Sequence, residues 1–305
     1  TLTECSFTDG PYLSENTTST TLTPSGTSGS VNITASASLF AATDVGRLVS
    51  FSNGRAKITG FTSATVVAAT TQDDFDNTNA VTAWKLGAFS GTTGHPSCVS
   101  FFEQRLVFAG TNSEPQTLYF SKSGDYENMT TGTNADDAMV YTIASNQVNR
   151  IRYLKSQRTL IVGTTGGEFT VSADGTDAAI TPTNIVIKKQ SSYGTANVDA
   201  IPAGNSILFL QKAKRKIREL SYNFDTDGYV APDLTILNDI VTKSGITEMA
   251  YQQEPDSILW CVRDDGILAG LTYQRSENVI AWHRHKLGGT FGAGASATGY
   301  GVVES

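Results

Sequence analysis

The chain has 305 residues, a formal charge of −7, and only 17% charged residues against 39% hydrophobic ones. That length accommodates two or three domains, or one repeat array with an insertion, and the apolar content supports a core without metals or disulfides. The acidity excludes a general nucleic-acid binder, which presents a basic face, and no stretch approaches the roughly 18 apolar residues of a membrane span, so no membrane insertion is expected.

The polar remainder is rich in Thr, Ser, Asn, Gln and Gly, a composition suited to many short strands joined by tight turns. Cys5, Cys98 and Cys261 are odd in number and far apart, which argues against a disulfide scaffold; Cys98 and Cys261 read as buried thiols in strands. The chain begins without Met and stops after the strand-like "YGVVES", as a fragment cut at both ends would.

Residues 1–30 contain "TDGPYLSENTTSTTLTPSGTSGS", in which Gly and Pro interrupt any long element, and read as an extended arm. Residues 31–83 read as a small β-barrel domain of about five short strands. Within it "LFAATDVGRLVSFS" carries one short helical turn before a strand, and Asn53-Gly54 is a hairpin signal. The run "DDFDN", Asp73 to Asn77, lacks the Gly and the downstream Glu of a calcium loop and reads as a solvated connection.

From residue 84 to 305 the pattern repeats. Segments starting at Val99, Ile151, Ile201 and Met249 each run apolar start, polar turn, short apolar strand, second turn and alternating third strand, with centres about fifty residues apart. "GVVES" from Gly301 arrives where a fifth would begin. Such a period predicts an all-β fold, a β-propeller incomplete in this chain, whose blades bury a face only by stacking on neighbours. In the last unit Ile258, Leu259, Trp260 and Val262 are expected in an inner strand, Asp264 to Gly266 in a turn, and Leu268, Leu271 and Tyr273 in the next strand. The stretches from Gly124 and from Asn223 read as long polar connections, and "DLTILNDIVTKSG" places Leu234, Leu237, Ile240 and Val241 at helical spacing before Gly245.

Candidate chemistry is thin. Glu254, Asp256, Asp264 and Asp265 form the best acidic cluster, but two precede a strand and two follow it, so they read as turn residues. His283 and His285 project to one side of a strand, yet no third metal ligand follows at useful spacing, and His95 is remote. "GTTGG", Gly163 to Gly167, lacks the Lys-Ser/Thr of a phosphate loop and reads as a hairpin needing positive φ. The one basic run, "KAKRKIRE", puts Lys212, Lys214 and Lys216 on one face if it stays extended. Lys212, Lys214, Lys216, His283, Arg284 and His285 are therefore the candidate interaction surface, for a partner subunit or phosphate backbone. No catalytic residue, metal site or cofactor is expected.

Long ordered runs carry a resemblance. "DGPYLSEN", "DVGRLV", "WKLGAFSGTTGHPSCVSFFEQRLVFAGT", "SGDYENM", "NQVNRIRYL", "LIVGTTGGEF", "TPTNIVIKKQSSYG", "REL" at Arg218, "YQQEPDSILWCVRDDGILAGLTY" and "AWHRHKLGG" together resemble the tail tubular, or nozzle, proteins of short-tailed bacteriophages. The unit over residues 31–83 also resembles the FCCH-type domain of ubiquitin-activating enzymes, without any of their chemistry. The resemblance implies a non-enzymatic virion-tail protein, made in the host cytoplasm and forming a homo-oligomeric, hexameric ring around the genome-ejection channel. Implied partners are portal or adaptor proteins, tail-fibre proteins, and double-stranded DNA that passes without specific binding. A carbohydrate-active propeller, with Trp260 and Trp282 as stacking platforms, and a non-enzymatic recognition module are the alternatives.

Overall fold

Alternating apolar positions and turn-forming residues produce a chain that is almost entirely β. The computed structural model describes residues 7–144, 147–175, 178–288 and 302–303. Cys5 and most of the expected fifth repeat, Gly301, Glu304 and Ser305, lie outside them. Two compact units emerge, Thr1–Ala144 with Asp177–Asn184, and Ser145–Thr176 with Ile185–Ser305.

The first unit opens with one six-stranded antiparallel sheet: β1 (Leu22–Pro24), β2 (Ser30–Ala35), β3 (Leu48–Phe51), β4 (Gly54–Ser63), β5 (Val66–Asp73) and β6 (Trp84–Leu86), in the order β1-β2-β5-β4-β3-β6. Three register shifts along the β4–β5 pair curl it into a half-barrel around Ile33, Val49, Phe51, Ile58, Val67 and Trp84. Leu22 and Val81 exchange both backbone bonds, at 2.9 and 3.0 Å, and the Trp84 indole donates to the Thr20 carbonyl, so the edges of the curl are tied.

This sheet departs from the expected bounds of 31–83, because Leu22–Pro24 pairs with Ile33–Ala35 and Trp84–Leu86 pairs with Val49–Phe51. Part of the supposed arm is thus a strand. Its earlier residues are also sewn down, Leu13 N–H to Leu86 O and Asn16 N–H to Trp84 O at 2.9 Å, because backbone amides lying on a folded surface need partners. The short helical turn appears at Ala42–Asp44. The hairpin signal sits one residue off: Ser52 and Asn53 take the left-handed turn positions, φ 49° and 57°. Gly54 opens the strand, where a Cβ would meet the Asp74 carbonyl oxygen at 2.7 Å.

Four antiparallel four-stranded sheets follow, each a meander, giving an all-β, propeller-type fold. The first is β7 (Cys98–Phe102), β8 (Arg105–Ala109), β9 (Thr117–Phe120) and β10 (Met139–Thr142), within the first unit. The second unit holds the rest. They are β11 (Ile151–Ser156), β12 (Leu160–Thr164), β13 (Gly167–Ala173) and β14 (Ile185–Ser191); β15 (Ile201–Ala203), β16 (Ser206–Leu210), β17 (Ile217–Asn223) and β18 (Gly228–Val230); and β19 (Ile246–Gln252), β20 (Ile258–Arg263), β21 (Leu268–Gln274) and β22 (Val279–His285). The first of these four sheets thus falls in the same unit as the curled one, and the other three fall in the second unit.

In the second unit the sheets stack as the repeat requires. Tyr153 and Ile161 of its first sheet pack with Ile207, Phe209 and Leu220 of its second. Leu208, Leu210 and Ile217 of that second sheet pack with Leu259, Cys261 and Leu271 of its third. Cys98 and Cys261 are both buried in strands, and burial pushes the Cys261 thiol up to about 12.

Two expectations fail here for identifiable reasons. Each sheet has a fourth strand, and β10 and β18 lie in stretches read as connections; at three or four residues they are too short to show a period. Residues 233–245 form successive turns instead of a helix. Asn238, Val241, Lys243 and Gly245 each donate to the carbonyl three residues back, and the Asp233 carboxylate takes the Thr235 N–H at 2.8 Å. The helical stripe therefore splits: Leu234 and Val241 are buried, Leu237 and Ile240 are not.

Candidate functional site

The basic run is a turn between β16 and β17. Lys214 adopts φ 61°, so Lys212, Lys214 and Lys216 do not share a strand face, although residues 212–216 are all exposed. Lys216 is committed to Asp233 at 2.8 Å. His283 and His285 do share one side of β22, with Arg284 between them exposed. Nδ1 of His283 lies 2.6 Å from Nε2 of His285, and both rings meet Trp260 edge-on. Gly270, paired with His283 across the sheet, leaves room for the ring: a Cβ there would lie 2.1 Å from Cε1. Burial first, and then the His285 charge, lower the His283 pKa. A single shared hydrogen bond suits one neutral ring donating to the other. Among the described residues no group of three or more His, Cys, Asp or Glu is placed to hold a metal.

The acidic cluster stays divided. Asp264 and Asp265 sit in the turn after β20, where Asp265 pairs with buried Arg263; partial burial raises the Asp265 carboxyl, but the Arg263 bonds outweigh it and hold it below the ordinary value. Glu254 and Asp256 are exposed on the preceding turn. Trp260 donates to Gln252, and Trp282 donates to the Leu234 carbonyl while packing on the core.

A built polar site lies elsewhere, in a cleft of about 650 Å³ between the second and third sheets of the second unit. Ser206, Tyr273 and Arg275 of its lining all converge on Glu219 of β17, which is buried behind them. Oε1 accepts from the Ser206 hydroxyl at 3.1 Å, the Tyr273 hydroxyl at 3.0 Å and Arg275 Nε at 2.9 Å, while Arg275 Nη2 stands 2.7 Å from Oε2. Burial pushes the Tyr273 hydroxyl up to about 12. Tyr251, Ser257, Asn205 and Glu277 complete the walls. With three donors on Oε1 and the Arg275 charge beside Oε2, Glu219 orients the half-exposed guanidinium. The signal in the sequence is a charge at an inward position, Glu219 after Ile217 in an alternating strand, which does not stand out among surface charges.

Glu168 of β13 is a second buried carboxylate. Its Oε2 accepts from Ser191, and burial raises its pKa against the opposing Ser191 bond and Arg218 charge. Tyr153 lies in register with Gly163, and Gly163 with Glu168, so the Tyr153 ring crosses the glycine on the same row. In the first unit, Phe7, Pro11, Leu48, Phe89 and Phe108 line an apolar pocket of about 400 Å³ with Lys57 and His95 at its wall.

No family model matches this chain, and no curated protein does. Among solved structures, an auxiliary nutrient binding protein from Bacteroides thetaiotaomicron is 11% identical with a TM-score of 0.36, over 86% of this chain and 70% of that one. The β-propeller domain of Myceliophteria thermophila Cps50 (Swd1) is 11% identical with a TM-score of 0.40, over 78% and 70%. A putative phosphatase from B. thetaiotaomicron is 10% identical with a TM-score of 0.41, over 88% and 72%.

Proposed function

We propose that this chain is a structural, non-enzymatic component of the tail of a short-tailed bacteriophage, a nozzle-type protein that assembles as a ring around the channel through which the genome leaves. What carries the reading is that the stretches responsible for the phage-tail resemblance spend their charges on joints. In "DVGRLV", buried Arg47 pairs with Asp44 at 3.0 Å and donates to the Gly87 carbonyl at 2.7 Å. In the run from Trp84, buried Arg105 donates to the carbonyls of Ser121, Ala135 and Asp137 at 2.6–2.8 Å. In "REL", Glu219 ties two sheets together, and in "RDDG", Arg263 closes on Asp265. Charges held this way stiffen a scaffold. The net acidity suits a lumen past which DNA slides, because phosphate is repelled.

The test is negative-stain imaging of the full-length chain at high concentration: rings are expected, and persistent monomers would overturn the reading. The Glu219–Arg275 cleft favours a second reading, a non-enzymatic recognition module; a monomer that binds a host-surface glycan through that cleft would replace the tail assignment.

A further inference from the structure

Three of the most exposed large aliphatic side chains in the described structure lie within five residues of one another: Ile236 at 74%, Leu237 at 97% and Ile240 at 66%. They do not sit on a loose loop. The segment's start is fixed by Leu234 N–H donating to the Ile217 carbonyl at 2.9 Å. Its end is fixed by Ile246 N–H to the Lys214 carbonyl at 2.8 Å and by the Thr242 hydroxyl to the Arg215 carbonyl at 2.6 Å. Arg263 reaches in from β20, with Nη1 on the Val241 carbonyl and Nε on the Ser244 hydroxyl, both at 2.9 Å. These bonds lash the apolar tip to the basic turn of residues 212–216.

The result is an aliphatic tip beside Lys212, Lys214, Arg215 and Lys243, all exposed, with Asp239 and Asp264 as the nearby unpaired acids and Lys216 and Asp233 neutralising each other. In a chain of net charge −7 this is a local excess of positive charge. We infer that the surface formed by residues 212–216 and 236–243 docks on an anionic lipid bilayer, with Ile236, Leu237 and Ile240 entering the headgroup layer and the cations resting on lipid phosphates.

The chemistry favours lipid over protein. A nearly fully exposed Leu needs a partner that yields around it, and residues 212–216 and 236–243 contain no Tyr, Trp or buried Arg, the anchors that dominate protein interfaces. Aliphatic insertion combined with flanking Lys and Arg is the two-signal arrangement that reversible membrane adsorption requires. Such adsorption is interfacial and involves no spanning segment, so it narrows the expectation of no membrane insertion to spanning alone. It holds whether or not the chain forms a ring.

The test is flotation of the full chain with vesicles of phosphatidylcholine alone or of equal parts phosphatidylcholine and phosphatidylglycerol. Binding to the mixed vesicles is expected, with little to the neutral ones, and it should weaken as salt rises. Leu237→Ser should cut binding about tenfold, and Lys212→Gln or Lys214→Gln about fivefold each. Asp239→Asn should strengthen it. Because Leu237 buries nothing in the fold, an unchanged circular dichroism spectrum will separate lost docking from lost structure. Equal binding to both vesicles, no binding to either, or indifference to Leu237→Ser would overturn the proposal. So would vesicle-free self-association that Leu237→Ser abolishes, which would assign the patch to a second copy.

Discussion

The two units assemble their cores by different means. In the first, Arg47 and Arg105 reach backbone carbonyls of loops in their own neighbourhood, and the curled sheet encloses its core with its own strands. In the second, each apolar cluster is shared by two consecutive sheets, and buried Glu219 of one sheet is satisfied by Tyr273 and Arg275 of the next. The curled sheet is thus a self-contained core, whereas each stacked sheet borrows part of its core and its polar satisfaction from a neighbour. Cooperativity follows from who supplies the missing surface.

The most direct way to break that contrast is Phe209→Ala. Phe209 is fully buried in the cluster shared by two sheets, and its removal should cost about 3–5 kcal/mol. Hydrogen exchange should then quicken in β11–β13 and β15–β17 while the curled sheet keeps its protection. Equal loss in both units would mean that they unfold as one, and the contrast would fall.

Arg105→Met probes the first unit's device. Carbonyls of Ser121, Ala135 and Asp137 would lose a charged donor, for about 3 kcal/mol, read as a lower urea midpoint and faster exchange over residues 134–137. Lysine should not rescue it, because one ammonium cannot span the carbonyls that a planar guanidinium reaches.

Glu168→Gln sharpens the second unit's side and should act more weakly. Burial raises the folded carboxyl pKa, so the folded state holds its proton more tightly than the unfolded one. That contribution to stability is present below the ordinary Glu value, about 4.3, and is lost as pH rises through the raised one. The glutamine variant should flatten this fall in urea midpoints measured across pH and gain on the wild type at neutral pH. A parallel pH profile would place the cost elsewhere.

The smallest effect expected is at His283, where burial and His285 favour the neutral ring. Its folded pKa lies below the ordinary value of about 6.5, so its share of stability is present above that value and fades as pH falls through the lowered one. His285→Gln should bring the His283 proton resonance titration back toward the ordinary range; an unmoved titration would show that burial alone sets it.

Much of the fold was legible because its causes are local. Sheets were expected from Val99, Ile151, Ile201 and Met249, and strands begin at Cys98, Ile151, Ile201 and Ile246. The glycine signals were readable only roughly: the "GTTGG" hairpin forms, but its turn residues Thr165 and Gly166 lack positive φ, and Gly167, at φ 153°, instead starts β13 where a Cβ would meet the Ser191 carbonyl oxygen at 2.3 Å. The candidate sites were far less so. Glu219 was visible only as a charge in an alternating strand, and its partners stand 54 and 56 residues further on. The basic run is plain in the sequence, but the aliphatic tip bound beside it is not, since Leu237 and Ile240 also fit a helical stripe with Leu234 and Val241.

By itself the amino-acid order determined the all-β class, the period of the repeats and the location of most turns, because alternation and positive-φ positions act within a few residues. The tertiary structure decided the rest: the edges that close the curl, the membership of three- and four-residue strands, and which charges are buried with partners. It also decided which apolar side chains of residues 233–245 face water. Those outcomes depend on surfaces brought together from distant parts of the chain, and burial has no meaning until they meet.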